Sequence, residues 1–189
     1  MKQLSEMSLE ELWQLFPIEL TKYNPDWPFW YKEEETALNS LLKNNIKRID
    51  HIGSTSVKGL ISKPIVDILL QILPTTNITE LKYILANSNW LLMNEQTSPD
   101  FRLDYNKGYT PNGFANKVFH LHIRYPNDYD EIYFRNYLRN NPKVAYEYVA
   151  LKQSLLKKYK YNRDAYTNAK SDFIISCVKK ARTQQTKNL

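Results

Sequence analysis

The sequence is poor in cysteine and has no long apolar run, and each absence excludes a class of protein. Cys177 is the only cysteine among 189 residues, so neither a disulfide nor a cysteine-based zinc site can form within one chain. No apolar run approaches the roughly 18 residues that a membrane-spanning helix needs. The first residues lead into a charged amphipathic helix, unlike the apolar segment of a signal peptide. We therefore expect a soluble, cytoplasmic protein with no membrane partner.

Basic residues outnumber acidic ones. The chain has 26 Lys and Arg against 20 Asp and Glu, which gives a net charge of +6. Such an excess suits an anionic partner, either a nucleotide or a nucleic acid, and it is equally explained by a basic tail. The segment 179–189 contains Lys179, Lys180, Arg182 and Lys187 and no acidic residue. We expect these residues to form a solvated, frayed tail.

Residues 1–178 contain no composition break or linker and predict one α/β domain. Ser8 and Glu11 form a capping box that opens a first helix, which ends before Pro17. Residues 106–113 are predicted as a turn-rich connection. Further helices are predicted after Pro28, over 77–86 and 129–139, from Pro142 and from Asp164, and strands over 46–52, 65–73, 90–95, 101–105 and 117–124.

The candidate phosphate-binding and metal-binding residues lie in a strand, a loop and a second strand between residues 46 and 73. Gly53 and Ser54 follow the first strand and supply close backbone approach, exposed N–H groups and a hydroxyl, all of which suit phosphate. Asp67 lies in the apolar run 65–73, which predicts a strand covered on both faces. An unpaired carboxylate there would be costly to desolvate, and a divalent cation would compensate its charge.

The segment His51-Ile52-Gly53-Ser54-Thr55-Ser56-Val57-Lys58-Gly59-Leu60, with Lys63-Pro64-Ile65-Val66-Asp67, resembles the signature of the GrpB family. Similar segments at 23–27, 120–122, 135–142 and 166–174 extend the resemblance over nearly the whole chain. The GrpB family is assigned to the nucleotidyltransferase superfamily, which has the polymerase-β-like fold. The resemblance therefore implies an α/β (α+β) fold, with a nucleotidyltransferase-like mixed sheet, N-terminal helices and a C-terminal helical segment.

The chain departs from the superfamily pattern at Leu69. Nucleotidyltransferases place a second acid at that position, two residues after the first and on the same strand face. Two carboxylates on one face allow two Mg²⁺ ions to bridge a triphosphate. The resemblance implies that the GrpB family also lacks this acid, so the two-metal site is in question for the family as a whole.

The chain has three histidines, and all of them lie in the matching segments. His120 and His122 are two residues apart on a predicted strand, so their side chains point to the same face. If that strand lies beside the strand of Asp67, as the resemblance implies, two imidazoles and a carboxylate converge. This set suits Zn²⁺, Mn²⁺ or Fe²⁺ better than Mg²⁺, although Mg²⁺ remains open. Alternatively, the histidines hydrogen-bond locally, including to Asp67.

Other residues receive roles through the same resemblance. Gly53, Ser54, Thr55 and Ser56 are expected to hold the phosphates, and Lys63 to neutralise charge beside a catalytic Asp67. Independently of the resemblance, the remaining candidates are basic side chains that either contact phosphate or acceptor or are ordinary surface charges, namely Arg102, Lys107, Arg135, Arg139 and Lys170. His51 is a further site candidate.

Three functional hypotheses remain open at this point. The first is an enzyme that transfers a nucleotidyl group from a nucleoside triphosphate to an unknown acceptor with the help of a divalent metal. The second is a binding module that keeps the fold and binds a nucleotide or another anion without transfer, as the missing acid favours. The third is an RNA-binding protein that uses the basic helices, for which binding should depend steeply on salt. The acceptor and the oligomeric state are left open.

Overall fold

The computed structural model describes residues 2–186 of the chain. Its longer helices are α1 (Leu9–Leu15), α2 (Trp27–Leu42), α3 (Ile78–Ala86), α4 (Asp130–Asn140), α5 (Pro142–Tyr159), α6 (Arg163–Asn168) and α7 (Ser171–Thr186). Its strands are β1 (Ile46–Ile52), β2 (Val66–Ile72), β3 (Leu91–Gln96), β4 (Arg102–Thr110) and β5 (Gly113–Arg124).

The strands form one mixed sheet in the order β1-β2-β5-β4-β3. The pair β2 and β5 is parallel, and the other neighbouring pairs are antiparallel. The predicted class, an α/β fold with a mixed sheet between N-terminal helices and a C-terminal helical segment, is confirmed. The capping box of α1 is present as well, because the Glu11 backbone N–H donates to Ser8 Oγ and the Glu11 carboxylate accepts from the Ser8 N–H.

The two faces of the sheet have different surroundings. Val66, Ile68, Leu70 and Ile72 alternate along β2 and are fully buried in the main core, together with residues of α2 and α3. The opposite face of the neighbouring strands is polar and carries Asp67, His120 and His122 and, on β4, Asp104. Period-two alternation thus separates an apolar face for packing from a polar face for chemistry.

The C-terminal helices pack as a second unit beside the polar face. Their core joins α4, α5 and α7 to the loop after β1, through side chains such as Val57, Phe134, Leu138, Tyr148 and Cys177. Cys177 is buried, as a small apolar residue in such a core should be. A cavity remains between these helices and the sheet.

The turn predicted over 106–113 is wrong, because β4 continues to Thr110 and β5 already starts at Gly113. Cross-strand pairing of Tyr109 with Phe114 outweighs the local turn preference, and the two rings lie 5.2 Å apart. Gly108, with φ +87°, allows the irregularity in β4, where a Cβ would lie 2.3 Å from the Lys117 carbonyl oxygen.

The single last helix predicted from Asp164 is also wrong. The structure contains two helices there, and α6 is capped by Asn162, whose side-chain oxygen accepts from the Ala165 N–H at 2.9 Å. Residues 179–186 of the predicted frayed tail continue α7, and Arg182 is paired with Asp128 and Asp130 at 2.6 and 2.7 Å. Residues 187–189 of that tail lie outside the described part.

Within residues 2–186, no helix combines the length and the apolar character needed to cross a bilayer.

Candidate nucleotide and metal site

The loop after β1 lies directly against Asp67. Gly53 has φ +67°, and a Cβ at this position would lie 2.2 Å from Asp67 Oδ2. Only glycine allows this close approach with this backbone conformation. The close contact explains why the chain places Gly immediately before Ser54, which lines the cavity.

The other two hydroxyls of the loop face inward. Thr55 Oγ1 lies 3.0 Å from His51 Nε2, and Ser56 Oγ donates to the Gly53 carbonyl at 2.6 Å. Both residues are buried. Their hydrogen bonds hold the loop in shape. The side chains of Thr55 and Ser56 do not reach the cavity, whereas the side chain of Ser54 does.

Asp67, His120 and His122 converge at the polar face. The parallel register of β2 and β5 places Asp67 opposite His120. Asp67 Oδ1 lies 3.0 Å from His120 Nδ1 and 4.0 Å from His122 Nε2. One ligand atom from each of the three residues lies within 4.8 Å of the others. The convergence expected from the strand pairing is present, and a role in metal binding stays a prediction.

The protonation states follow from burial and from neighbouring charges. Burial raises the pKa of Asp67, but the interactions with His120 and His122 outweigh it and hold this pKa well below its usual range. Burial lowers the pKa of His120, whereas for His122 the neighbouring Asp104 and Asp67 outweigh burial and raise the pKa to about 9. At neutral pH the cluster therefore contains an Asp67 carboxylate and a His122 imidazolium. Asp67 thus has imidazole partners in the protein itself, as in the alternative in which the histidines hydrogen-bond locally.

Asp104 is a site residue that the sequence analysis missed. Its Oδ1 lies 2.9 Å from His122 Nδ1 and accepts from Arg124 Nη2 at 2.6 Å. Asn94 Nδ2 donates to Oδ2 of the same carboxylate at 3.1 Å. Asp104 thus fixes the His122 ring with Nε2 toward Asp67, an arrangement found around many metal-binding histidines. Alternating polar residues on the predicted strand 101–105 were the available signal.

Position 69 is occupied by a core residue. Leu69 has no exposed surface, so the strand position of the second acid contributes packing only. A second carboxylate does lie near the cluster, but it comes from β4 and contacts His122.

The helical segment and the loop before β2 supply a basic wall to the cavity, whose volume is about 1300 Å³. Its basic residues are Lys63 from the loop before β2, Lys152 from α5, Arg163 from α6 and Lys170, which follows α6. Within the described residues none of these four side chains forms an ion pair with a carboxylate. The sequence analysis named Lys63 and Lys170 but missed the other two.

The environment of this wall disfavours positive charge. Burial, reinforced by Arg163 and Lys170, lowers the pKa of Lys63 to about 7. Burial and Lys170 lower the pKa of Lys152 to about 7 as well. An anion bound in the cavity would reverse both effects by favouring the charged amines.

Lys152 could have been found from helical spacing. It lies four residues after Tyr148 and therefore on the same face of α5, which is the face toward the core. A lysine at such a position is unusual unless its charge has a use.

The remaining candidates lie at the edge of the cavity or away from it. Arg102 is at the edge and pairs with Asp100 at 3.7 Å. Lys107 pairs with Glu34 at 2.8 Å. These contacts neutralise both basic groups locally.

Two arginines and His51 stabilise the end of β1 and the loop after it, on the side away from the cavity. Arg135 Nη1 donates to Asp50 Oδ1 at 3.1 Å and to the His51 carbonyl at 3.0 Å. Arg139 Nη2 donates to the Ser56 carbonyl at 2.8 Å. The His51 ring stacks on Tyr31, and burial lowers its pKa to about 4. The structure places all three in support of the loop and not in the cavity.

Comparisons with known proteins agree on one family. The family described as GrpB protein matches residues 17–180. UPF0157 protein PA4798 of Pseudomonas aeruginosa is 32% identical over 158 residues, which cover 83% of this chain and 64% of that protein. This chain belongs to the GrpB family.

Two further members of the family are similar to this chain over most of their own length. Glutamate-rich protein GrpB of Alkalihalophilus pseudofirmus is 28% identical, with 82% of this chain and 90% of that protein covered. The crystal structure of conserved protein GrpB from Enterococcus faecalis aligns with a TM-score of 0.77 at 31% identity, over 88% of this chain and 99% of that one. The present chain is itself not rich in acidic residues, since it has 20 of them against 26 basic ones.

Proposed function

We propose that this member of the GrpB family binds a nucleoside triphosphate together with a divalent cation and transfers the nucleotidyl group to an acceptor, with pyrophosphate as the leaving group. One observation carries the proposal. A single cavity is lined by the cluster of Asp67, His120 and His122 on the sheet and, on its other side, by Ser54 and the four basic side chains that form no ion pair within residues 2–186. In a metal–triphosphate complex the cation matches the carboxylate and imidazoles of the cluster, and the phosphates match the basic side chains.

The donor set fits a divalent cation. Two imidazole nitrogens and one carboxylate oxygen can approach within 4.8 Å of one another, and such mixed sets suit Zn²⁺, Mn²⁺ or Fe²⁺ better than Mg²⁺. When bound, the cation would supply positive charge to polarise a phosphoryl oxygen. Asp67 is ionised and ready to coordinate, whereas His122 must first release its proton. Asp104 orients that ring and accepts its Nδ1–H.

The remaining residues bind and orient. The Ser54 hydroxyl and the amines of Lys63 and Lys152 can donate to phosphate oxygens, and Gly53 lets the loop backbone lie close to Asp67. The Asp67 carboxylate is the group nearest to both the loop and the histidines, which makes it the centre of the proposed chemistry.

A second candidate function is anion or nucleotide binding without transfer. It is favoured by buried Leu69 at the position of the second acid and by the histidine partners that Asp67 already has. Under this hypothesis the phosphates bind the basic wall and no metal is required.

A calorimetric titration with ATP distinguishes the two functions. It is carried out in EDTA and again with Mn²⁺, Zn²⁺ or Mg²⁺, on the parent, on Asp67→Asn and on the control Asp164→Asn. Asp164 is an exposed acid that lines the same cavity outside the cluster. Transfer predicts metal-dependent binding in the parent and in the control and its loss in Asp67→Asn. When a cell extract supplies the acceptor, it also predicts release of pyrophosphate by the parent. Equal ATP affinity with and without metal would contradict the transferase proposal and support the binding module.

A further inference from the structure

Tyr109 lies on a different face of the sheet from the one that simple alternation along β4 gives it. Lys107, two residues earlier, lies on the core face, where its Nζ pairs with Glu34 of α2 at 2.8 Å, so a regular strand would place Tyr109 there too. The register of β4 against β5 shifts between Lys107 and Tyr109, at Gly108 with its φ of +87°. The shift turns Tyr109 to the polar face, where its hydroxyl lies 2.8 Å from His120 Nε2.

The hydrogen-bond directions around His120 follow from its neighbours. The Asp67 carboxylate can only accept, so His120 Nδ1, which lies 3.0 Å from Asp67 Oδ1, carries a hydrogen. The Arg163 guanidinium can only donate, and its Nη1 donates to the Tyr109 oxygen at 3.0 Å. In the neutral ring, Nε2 is therefore an acceptor and the Tyr109 hydroxyl donates to it. Both nitrogens of His120 thus have a partner within the protein.

The Tyr109 ring is held in place by aromatic neighbours. Phe16 and Phe114 lie 4.8 and 5.2 Å from it, centre to centre. His120 lines the cavity whereas Tyr109 does not, so Tyr109 can affect a cation in the cluster only through His120. Because Nε2 faces the tyrosine, the nitrogen that His120 presents to the cluster is Nδ1, beside Asp67.

We infer that Tyr109 is the positioning residue of His120, which it orients so that Nδ1 is the metal-binding nitrogen. Without a cation, the ring hydrogen is on Nδ1 and Tyr109 donates to Nε2. When Nδ1 binds a cation, its hydrogen leaves to water and Nε2 takes one up, so the ring stays neutral and the Tyr109 oxygen becomes the acceptor. A hydroxyl can serve both states because it donates and accepts. The inference deepens the proposed function and rests on it for the presence of a metal.

The first test is a calorimetric titration of the full chain with Zn²⁺ in the absence of nucleotide. The Nε2–H group of a metal-bound imidazole is a strong donor, so Tyr109→Phe, which removes its acceptor, should weaken Zn²⁺ binding about tenfold or more. Tyr105→Phe is the matched control. Tyr105 lies on the same strand, and its buried hydroxyl has no hydrogen-bond partner within residues 2–186, so this variant should bind like the parent.

A second measurement follows the ring hydrogen itself and needs no variant, so it decides the question even if Tyr109→Phe does not fold. Long-range ¹H–¹⁵N NMR spectra of the parent should show the His120 hydrogen on Nδ1 without Zn²⁺ and on Nε2 with saturating Zn²⁺. In Zn²⁺-loaded Tyr109→Phe the Nε2 resonance of His120 should move, whereas the Nδ1 resonance of His122, which Asp104 holds, should not.

Two results would overturn the inference while leaving metal binding intact. One is equal or tighter Zn²⁺ binding by Tyr109→Phe, and the other is a Zn²⁺-loaded parent whose His120 hydrogen is still on Nδ1. A parent that binds neither Zn²⁺ nor Mn²⁺ would reject the proposed metal-dependent function together with the inference that rests on it. The failure of the positioning role and the failure of the proposed function are therefore distinguishable.

Discussion

Replacing Lys152 by Met should stabilise the ligand-free protein at neutral pH. Burial lowers the pKa of this amine to about 7 from its ordinary 10.5, and the side chain is only 3% exposed. At about 1.4 kcal/mol per pH unit, this shift opposes folding by about 4 kcal/mol near pH 7. The variant also leaves the Ile61 carbonyl and Ser54 Oγ without their donor, at a cost of about 1 to 3 kcal/mol. The expected net gain in the free energy of unfolding is about 1 to 3 kcal/mol.

The pH dependence of this gain has a defined sign. The pKa of Lys152 is lower in the folded than in the unfolded protein, so between about pH 7 and pH 10.5 the unfolded chain binds more protons. The stability contributed by Lys152 therefore rises with pH through this window, and the Met variant lacks that rise. Its advantage over the parent should shrink from pH 7 to pH 10. Lys63 adds to this effect in the same direction, because the charge of Lys152 helps to lower the pKa of Lys63 and its removal relieves part of that lowering.

Urea denaturation of the parent, of Lys152→Met and of the exposed control Lys157→Met at both pH values measures these differences. A Lys152→Met protein that is less stable than the parent by about 1 kcal/mol or more at both pH values would refute the reasoning. Lys152 would then be a structural donor that holds the loop to α5, and not a cation kept for a ligand.

Three further predictions concern the loop and the cluster. Gly53→Ala should lower the free energy of unfolding by at least about 2 kcal/mol in urea denaturation, because its Cβ would contact Asp67 and its φ is positive. The control Gly59→Ala has a similar φ of +79° but nothing within 4 Å of the new Cβ, so it should lose less stability. Equal losses in the two variants would refute the role of the contact with Asp67. Ser54→Ala should weaken ATP binding by about 1 to 3 kcal/mol in calorimetry with an unchanged fold, and unchanged affinity would remove this hydroxyl from the site. Asp104→Asn should lower the pKa of His122 from about 9 toward its ordinary value, and an NMR titration that shows no decrease would exclude Asp104 as the cause.

Much of the architecture follows from local patterns. The strand over 46–52, the buried strand around Asp67 and the Asn77-capped helix to Ala86 lie where the sequence predicts them, within a residue or two. Apolar runs and capping side chains act over a few residues, so their effect can be read without the rest of the molecule. The hairpin after residue 106 could not be read in this way, because pairing between distant residues decides it.

The residues of the candidate site can likewise be divided into those that local sequence predicts and those that only contacts between distant residues bring together. Gly53, Ser54, Lys63 and Asp67 lie close together in the sequence, and a resemblance to one family motif was enough to name them. The convergence of His120 and His122 on Asp67 needed one further assumption, the pairing of β2 with β5, which the structure contains. By contrast, Thr55 and Ser56 belong to the same motif, and yet local hydrogen bonds turn both away from the cavity.

The sequence by itself determined the strand–loop–strand unit, its glycine and the acid Asp67 on its second strand, because the spacing of neighbouring residues encodes them. Only the tertiary structure decided that Asp104 orients His122, that Lys152 and Arg163 face the same cavity, and that Arg135 and Arg139 support the loop from behind. Those assignments depend on the register between β4 and β5 and on the rotation of α5 against the loop. Both are set by contacts between residues far apart in the chain, which no local pattern records.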